Sequence, residues 1–277
     1  MRMVAQIIAR ARAAPGARNP AASRDITFSI LLCASCILFS ACAGHPEPAQ
    51  IGAPGNPIFA STPIQKPIDP VRLMLPGASS APFAAADQSP AQTLRVELKA
   101  TPPGSADWRT AQRSEFRAEK PGGPETLARV DSLIRTADGS IAMPRQTNQA
   151  ENVEVIFDPP LIVLPASLKP GVPFVQSTTM TVHPIDKPTK VRAKGTVKQT
   201  ITLEGRDRIR TPAGEFDAVK ILSVFEADLG STAVNNRTEQ WLAEGAGLVA
   251  ERRSERTTLV GVRIRSKDEF WLLDRRK

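Results

Sequence analysis

Downstream of residue 92, apolar and polar side chains alternate with a period of two, and clusters of turn residues interrupt the alternation at near-regular intervals. The pattern is clear over residues 94–98 and over residues 190–204. Because successive side chains of a strand point to opposite faces, this pattern predicts antiparallel strands with one polar face. Residues 219–225 are apolar on both faces and predict a central strand, and only residues 125–134 fit a helical spacing comparably well.

Turn residues favour antiparallel neighbours. The pair Asp138-Gly139 is a hairpin signal, because Gly accepts a positive φ. Pro212 and Gly214 occupy the second and fourth positions of a segment that suits a type I turn. About nine or ten strands within residues 93–277 cannot lie flat in one sheet. We therefore predict an all-β domain over these residues, with a strongly curved antiparallel sheet that forms a half-barrel or is barrel-like.

An export signal is predicted for residues 1–41. Five Arg and a single acid precede an uncharged run, residues 26–41, which ends in small side chains. The run is shorter than the ~20 residues of a membrane-spanning helix, so a transmembrane anchor is the weaker alternative. The Arg- and Ala-rich start also resembles an organellar transit peptide, but the apolar core and the Cys at its end favour bacterial export.

Residues 39–42 (FSAC) resemble the lipobox of bacterial lipoproteins, in which a peptidase cuts before a Cys that carries a diacylglyceryl thioether. The resemblance implies signal cleavage between Ala41 and Cys42 and attachment to a membrane through lipidated Cys42. Phe39 stands where Leu is usual, Cys36 is a weaker competitor, and a buried structural Cys is the alternative. The residue after Cys42 is Ala rather than Asp, which implies a lipid-anchored protein of the bacterial outer membrane that faces the periplasm.

Residues 42–92 are predicted to form a disordered tether. Ten Pro lie between residues 43 and 92, together with many Ala and Ser and few charges. Because Pro fixes φ and lacks a backbone donor, neither a helix nor a central strand is expected to extend through this segment. A short apolar stretch, residues 71–75, either docks on the domain or remains part of a free spacer.

The net charge argues against a nucleic-acid partner. The whole chain carries +8, but without residues 1–41 there are 31 Lys and Arg against 27 Asp and Glu, which leaves +4. The absence of Tyr and an aromatic content of 5% also argue against a base-stacking surface or a sugar-binding platform.

Basic residues recur on the predicted strands. A solvated face interleaved with acids is the simpler interpretation, and an anionic envelope partner (lipid headgroups, lipopolysaccharide or an acidic protein surface) is the alternative. The positions are Arg206, Arg208, Arg210, Arg252, Arg253, Arg256, Arg263, Arg265 and Lys267.

Two segments, residues 211–221 and residues 241–249, together resemble a widespread group of bacterial envelope lipoproteins of unknown function. The group carries a PAG-x-F turn followed by W-x-A-x-G-x-G-x-V, and the likeness covers about residues 157–253. It implies a β-rich domain that faces the periplasm and offers no catalytic residues. The motif residues, interpreted as structural turn and packing positions, are Pro212, Gly214, Phe216, Trp241, Gly245 and Gly247.

Residues typical of metal sites and catalytic sites are scarce. All three Cys lie before residue 43 and the chain has two His, which argues against zinc fingers, His-rich metal sites and a disulfide scaffold. No cofactor and no metal is expected. A Ser-His-Asp triad in the domain would have to use His183, which is followed by Pro and is more typical of a turn. Possible acid/base pairs, interpreted as ordinary turn and edge carboxylates, are Asp138 with Asp158 and Glu226 with Asp228.

Three hypotheses about function follow. The first is a lipid-anchored, non-enzymatic binding or assembly module of the cell envelope. The second is a carrier of a hydrophobic ligand, which requires an apolar cavity of several hundred Å³ inside the sheet. The third is an envelope hydrolase, which requires His183 to meet a Ser and an acid in a cleft. Trp241, Phe225 and Trp271 are expected to pack in the core rather than to form a ligand box.

Overall fold

The computed structural model describes residues 56–74, 79–86, 92–101 and 108–275, all within one compact unit, Ile51–Lys277. The predicted signal peptide, residues 1–41, lies outside the described residues. The predicted cleavage site at Ala41 and the predicted lipidation site at Cys42 lie outside them as well.

The described residues form thirteen strands and one 3₁₀ helix, and no helix among them is long and apolar enough to cross a membrane. The helix spans Pro70–Leu73. The strands are β1 (Ile58–Thr62), β2 (Ser79–Ala85), β3 (Thr93–Thr101), β4 (Thr110–Ala118), β5 (Thr126–Arg135), β6 (Ile141–Asn148), β7 (Val153–Leu164), β8 (Phe174–Pro184), β9 (Ala193–Thr211), β10 (Gly214–Asp228), β11 (Thr232–Ala243), β12 (Gly247–Leu259) and β13 (Val262–Leu273).

The strands form a closed antiparallel sheet. From β2 to β13 each strand pairs with the next one along the chain, and β13 pairs with β2 to close a barrel of twelve described strands. The closing pair is short, with Leu273 opposite Phe83 and Trp271 opposite Ala85. The prediction of an all-β fold with a strongly curved antiparallel sheet is confirmed, in its barrel-like form.

A bulge in β9 changes the face to which that strand directs its side chains. Leu203 lies opposite Ile221, whereas Gly205 lies opposite Lys220, the residue before Ile221. Because directly opposite residues share a face, Leu203 faces the interior and Gly205 faces outward. Ile201 is the last residue of β9 that pairs with β8. After the bulge, the second half of β9 pairs with β1 instead.

Two apolar clusters result from this arrangement. The larger one fills part of the barrel interior and includes Leu133, Phe157 and Ile201. The second contains Trp241 and Trp271, which are 0% and 1% exposed, so the expectation that these two rings pack in the core is confirmed.

Part of the segment predicted as a tether, residues 42–92, lies in the sheet. It supplies β1, the 3₁₀ helix and β2, where no regular structure was expected. The Pro residues occupy positions that need no donor: Pro70 starts the helix, and the carbonyl of Pro82 in β2 accepts the N–H of Asp274 at 2.8 Å. Val71 and Met74 pack against the interior cluster, so residues 71–74 dock rather than remain free.

Two further expectations are corrected by the fold. The helical alternative for residues 125–134 is wrong, because these residues form β5 between its hairpin partners β4 and β6. Residues 93–275 contain eleven described strands rather than nine or ten. Strands predicted over residues 94–98 and 219–225 are confirmed within β3 and β10. The predicted turn at Asp138-Gly139 connects β5 to β6, with Gly139 at φ 88°.

Candidate functional site

The barrel encloses a cavity of about 320 Å³. Its lining comes from β2 to β7 and from β9 to β12, so the space lies within the closed sheet. Met74, directly after the 3₁₀ helix, also lines it. Much of the wall is apolar, and its main contributors are Leu98, Leu133, Met143, Phe157, Leu164 and Leu242.

Phe225 belongs to this wall. Phe225 packs against the larger apolar cluster, as the sequence predicts for core packing, and it also lines the cavity. Its ring packs edge-on against Phe157 with the centroids 6.4 Å apart. Phe225 is therefore one of the aromatic surfaces available to a bound molecule.

The cavity lining also includes amide and hydroxyl side chains on the same strands as the apolar residues, and several of them bond to other protein groups. The Nε2 of Gln199 donates to Ser223 Oγ at 2.9 Å, and the Nε2 of Gln240 donates to Glu251 Oε2 at 2.7 Å. The Nε2 of Gln146 donates to the Oδ1 of an aspartate on β5 at 3.1 Å. These bonds fix the amides before any ligand binds.

Charged side chains at the cavity form a cluster of ion pairs. We call it the interior ion cluster, and its members are Arg113, Arg129, Arg253, Glu115, Asp131 and Glu251. The three carboxylates are only 1–3% exposed. Three positive and three negative charges balance within the cluster.

Glu115 is the centre of the interior ion cluster. It accepts from Arg113 Nη1 at 2.6 Å and from Arg253 Nη2 and Nη1 at 2.5 and 3.0 Å. Glu115 lies on β4 and Arg253 on β12, and β13, β2 and β3 lie between those strands in the sheet, so the contact crosses the barrel interior. Arg253 also pairs with Glu251 on its own strand, and Arg113 Nη1 donates to Asp131 Oδ2 at 3.1 Å.

The pairing keeps Glu115 and Arg253 ionised. Burial alone would raise the pKa of Glu115, but Arg253 and Arg113 outweigh it and hold that pKa well below its ordinary value. Burial would likewise lower the pKa of Arg253, but Glu115 and Glu251 raise it well above its ordinary value. These two side chains are therefore a charged pair at neutral pH.

A second ionic group lies beside the cluster. Glu269 accepts from Arg117 Nη1 and Nη2 at 2.5 and 3.1 Å and pairs with Lys267 at 2.7 Å. Burial raises the pKa of Glu269, but hydrogen bonds and charge from Arg117 and Lys267 lower it to about 2. The Arg117 guanidinium also lies 5.6 Å from the centroid of the Trp271 ring.

His183 lies in β8, not on a turn, and does not line the cavity. It faces Glu154 across the β7–β8 pair, and Glu154 is engaged by Arg145 at 3.1 Å. Within the described part of the chain, His183 Nδ1 is buried without a hydrogen-bond partner and no Ser hydroxyl bonds to this His. The described residues therefore do not place a Ser hydroxyl at His183, which a hydrolase using this His would need.

Of the carboxylates considered as acid/base pairs, Asp138 and Asp228 lie at turns, as expected, whereas Asp158 and Glu226 lie within β7 and β10. Asp138 accepts from Thr136 Oγ1 and from Ser140 N and Oγ, and these hydrogen bonds, that from Thr136 first, lower its pKa. Asp228 accepts the N–H of Gly230 at 2.9 Å in the β10–β11 turn. The other two members are exposed: Asp158 and Glu226. In the described residues, no group of three or more His, Cys, Asp or Glu could hold a metal ion.

The predicted basic face is divided by the structure. Arg253, interpreted from sequence as part of a solvated face, lies in the interior instead, and Arg265 bonds to Glu151 at 2.9 Å. Arg208 and Arg210 lie outside, with their guanidinium carbons 5.0 and 5.3 Å from the ring centroid of a Phe on β1. An anionic partner at such exposed positions stays a prediction.

The motif residues lie at turns and in the core. Gly214, at φ 131°, begins β10 directly after the β9–β10 turn. Gly245, at φ 70°, lies in the β11–β12 turn, and Gly247, at φ 73°, begins β12. Trp241 donates through Nε1 to Asp207 Oδ2 at 2.8 Å on the face away from the cavity.

Residues 130–261 match the model of a family described as DUF3108-like. The DUF3108-like region runs from within β5 to the end of the turn after β12 and includes both motif segments. It contributes Asp131, Glu251 and Arg253 to the interior ion cluster, whereas Arg113 and Glu115 precede it. Neither a curated protein nor a solved structure matches the chain.

Sequence reasoning missed most of the interior ion cluster. The β4 sequence TAQRSEFRA places Arg113, Glu115 and Arg117 on one face. Such a face is ordinarily the wet side of a strand. The one available signal is the strict alternation of opposite charges on that face, which suits pairing across a closed interior as well as exposure to water.

Proposed function

We propose that this protein is a lipid-anchored cell-envelope protein whose barrel binds a small amphipathic molecule without transforming it. The observation that supports the proposal is the interior cavity of about 320 Å³, lined by both apolar side chains and fixed polar groups. Ligand pockets for small molecules typically begin at ~300 Å³ and combine an apolar lining with a few placed polar groups.

The size of the cavity favours an occupant over simple imperfect packing. Protein interiors are close-packed, and unfilled apolar space costs ~24 cal/mol for each Å³. A space of about 320 Å³ is far larger than the water-sized gaps that ordinary packing leaves. A space of this size bounded by well-packed strands is typical of a binding cavity, and this matches the carrier hypothesis drawn from the sequence.

A cavity-filling substitution tests the binding role. Met143 lies on the apolar wall and is 4% exposed, so Met143→Trp places a larger ring in the cavity. We expect the purified full-length protein to bind octan-1-ol in isothermal titration calorimetry, and Met143→Trp to weaken binding at least tenfold. The matched control is Leu127→Trp, because Leu127 is 37% exposed and does not line the cavity. Unchanged octan-1-ol binding by a folded Met143→Trp protein would contradict the proposal.

The anchor is proposed from the sequence alone, on the small residues before Cys42 and the apolar run that precedes them. Growth with an alkyne-bearing fatty acid should label the wild-type protein and leave Cys42→Ala unlabelled. Cys36→Ala serves as the matched control, because Cys36 lies in the same apolar run. A label that persists in Cys42→Ala, or that disappears in Cys36→Ala, would contradict attachment at Cys42. Recovery of the label in the outer-membrane fraction tests the proposed location.

A further inference from the structure

One cation on the cavity lining has no ion-pair partner. Among the described residues, the Arg side chains that line the cavity are Arg113, Arg129, Arg253 and Arg275. The first three belong to the interior ion cluster, in which three carboxylates match them. Arg275 forms no ion pair with any residue in the described part of the chain. The cavity and its ion cluster together therefore carry one excess positive charge, on Arg275.

Arg275 lies directly after β13, at the mouth of the cavity. The N–H of Asp274 donates to the carbonyl of Pro82 at 2.8 Å, which continues the β13–β2 pairing and holds this segment against β2. Ser80 and Ala81 of β2 also line the cavity. Because Arg275 is exposed and lines the cavity as well, the cavity reaches the protein surface at this residue.

Other lining residues come from the same end of the barrel. Neighbouring strands are antiparallel, so the ends of β7, β11 and β13 and the starts of β2 and β12 share one end of the barrel. Lining residues at these positions are Leu164 at the end of β7, Ala246 in the β11–β12 turn and Gly247 at the start of β12. The mouth is therefore at this end, with Arg275 on its rim.

The space behind the mouth suits an apolar chain. Leu98, Leu133 and Phe157 line the cavity and are buried. The cavity volume of about 320 Å³ lies at the lower end of the ~300–1,000 Å³ range of small-molecule sites. One chain of medium length therefore fits this space better than the two long chains of a bilayer lipid.

An anionic head group suits the mouth better than a neutral or a cationic one. A guanidinium binds a carboxylate through two parallel N–H···O hydrogen bonds, and such charge-assisted bonds are stronger than neutral ones. One carboxylate also cancels the one excess positive charge. An ammonium head would add a second unmatched cation beside Arg275, and a neutral head would leave the charge of Arg275 unpaired.

We propose that the ligand is a medium-chain amphiphile with a carboxylate head, which pairs with the guanidinium of Arg275 at the mouth while the chain lies along the apolar wall. This inference rests on the proposed function and names its ligand class. Because Arg275 is exposed, water screens the pair, and the expected gain in affinity over a neutral head is about three- to tenfold.

Three probes with the same eight-carbon chain test the head group: octanoate, octanamide and octylammonium, each titrated at pH 7 into the purified full-length protein. We expect octanoate to bind most tightly and octylammonium least tightly. The preference for octanoate over octanamide should shrink when NaCl is raised from about 20 mM to about 500 mM, because salt screens an exposed ion pair. Octanamide binding as tightly as octanoate at low salt would overturn the inference. Octylammonium binding most tightly would also overturn it and would indicate that Asp131 and Glu251 determine the head group.

Two variants of Arg275 locate the contact. Arg275→Gln removes the charge, and we expect it to abolish the preference for octanoate while octanamide binds as before. Arg275→Glu should invert the order, so that octylammonium binds more tightly than octanoate. The matched control is Arg263→Gln, because Arg263 is an exposed Arg of β13 that does not line the cavity. A preference for octanoate that survives both Arg275 substitutions, or that disappears in Arg263→Gln, would overturn the assignment.

The outcomes separate this inference from the proposed function. If octan-1-ol binds and Met143→Trp blocks it, but the three head groups bind equally, the cavity is a binding site and the head-group assignment is wrong. If neither octan-1-ol nor any of the three probes binds, the proposed function fails and the inference fails with it.

Discussion

Replacement of Glu269 by Gln is expected to destabilise the protein in a pH-dependent way. Glu269 is 5% exposed and holds Arg117 through two hydrogen bonds of 2.5 and 3.1 Å, with Lys267 at 2.7 Å. Burial would raise its pKa, but the two basic side chains lower the pKa to about 2. The ionised form of Glu269 is therefore bound more strongly in the folded protein than in the unfolded chain.

The magnitude follows from proton linkage. Folding lowers the pKa of Glu269 from the ordinary value of 4.5 to about 2. At ~1.36 kcal/mol for each pKa unit, this shift corresponds to about 3 kcal/mol of stabilisation of the folded protein. Arg117 and Lys267 are 26% and 39% exposed, so screening by water and salt reduces this to about 2 kcal/mol. Because the folded-state pKa is lowered, this stabilisation is fully present above pH 4.5 and is lost as the pH falls through about 2.

Urea unfolding, followed by Trp fluorescence from pH 7 to pH 2.5, measures the effect. We expect Glu269→Gln to lower the free energy of unfolding by about 2 kcal/mol at pH 7, and the difference from wild type to shrink steadily below pH 4.5. The control is Glu226→Gln, an exposed carboxylate on β10, which should change stability by less than about 0.5 kcal/mol. A gap between wild type and Glu269→Gln that stays constant down to pH 2.5 would refute the linkage reasoning.

Three further substitutions probe the packing. Gly195→Ala should lower the midpoint of thermal unfolding in calorimetry, because an added methyl carbon would lie 1.8 Å from the backbone oxygen of the last β10 residue; an unchanged midpoint would contradict this close approach. Trp241→Phe should lower the free energy of unfolding in urea by about 2 kcal/mol, because buried Asp207 loses the indole N–H that donates to it at 2.8 Å. A decrease below about 0.5 kcal/mol would argue against that hydrogen bond. Arg253→Met should lower the free energy of unfolding by about 3–5 kcal/mol in the same assay, because Glu115 keeps its charge and loses its bidentate partner. An unchanged free energy of unfolding would show that Glu115 takes up a proton instead.

The strands themselves could be predicted because their signal is local. In β3, residues 94, 96, 98 and 100 are buried and the residues between them are more exposed, and the sequence shows this alternation directly. The closure of the barrel has no such signal. It depends on three residue pairs between β13 and β2, for example Leu273 with Phe83, which are far apart in the chain. The strands before residue 92 were missed for a related reason, because their high Pro content outweighs short apolar runs in a local analysis.

The cavity could not be predicted because period-two alternation shows which residues share a face, not which face lies inside. Arg113, Glu115 and Arg117 in β4 have the pattern of a solvent-exposed face, yet they point into the barrel. Their charges are tolerated there because Arg253 and Glu269 come from strands that are distant in sequence. Only the closed topology brings these partners together, and no single segment contains that information.

The position of the interior ion cluster supports a binding role more than a structural one. A buried ion pair contributes little net stability, since apolar side chains of the same size often stabilise a protein equally well or better. Here three buried carboxylates and their Arg partners lie next to unfilled space of about 320 Å³, so two features that each weaken packing occur at one site. An apolar wall binds a chain without orienting it, whereas donors and acceptors held rigidly by buried ion pairs fix the orientation of a ligand. The paired charges and the bonded amides beside them are therefore consistent with the proposed binding role.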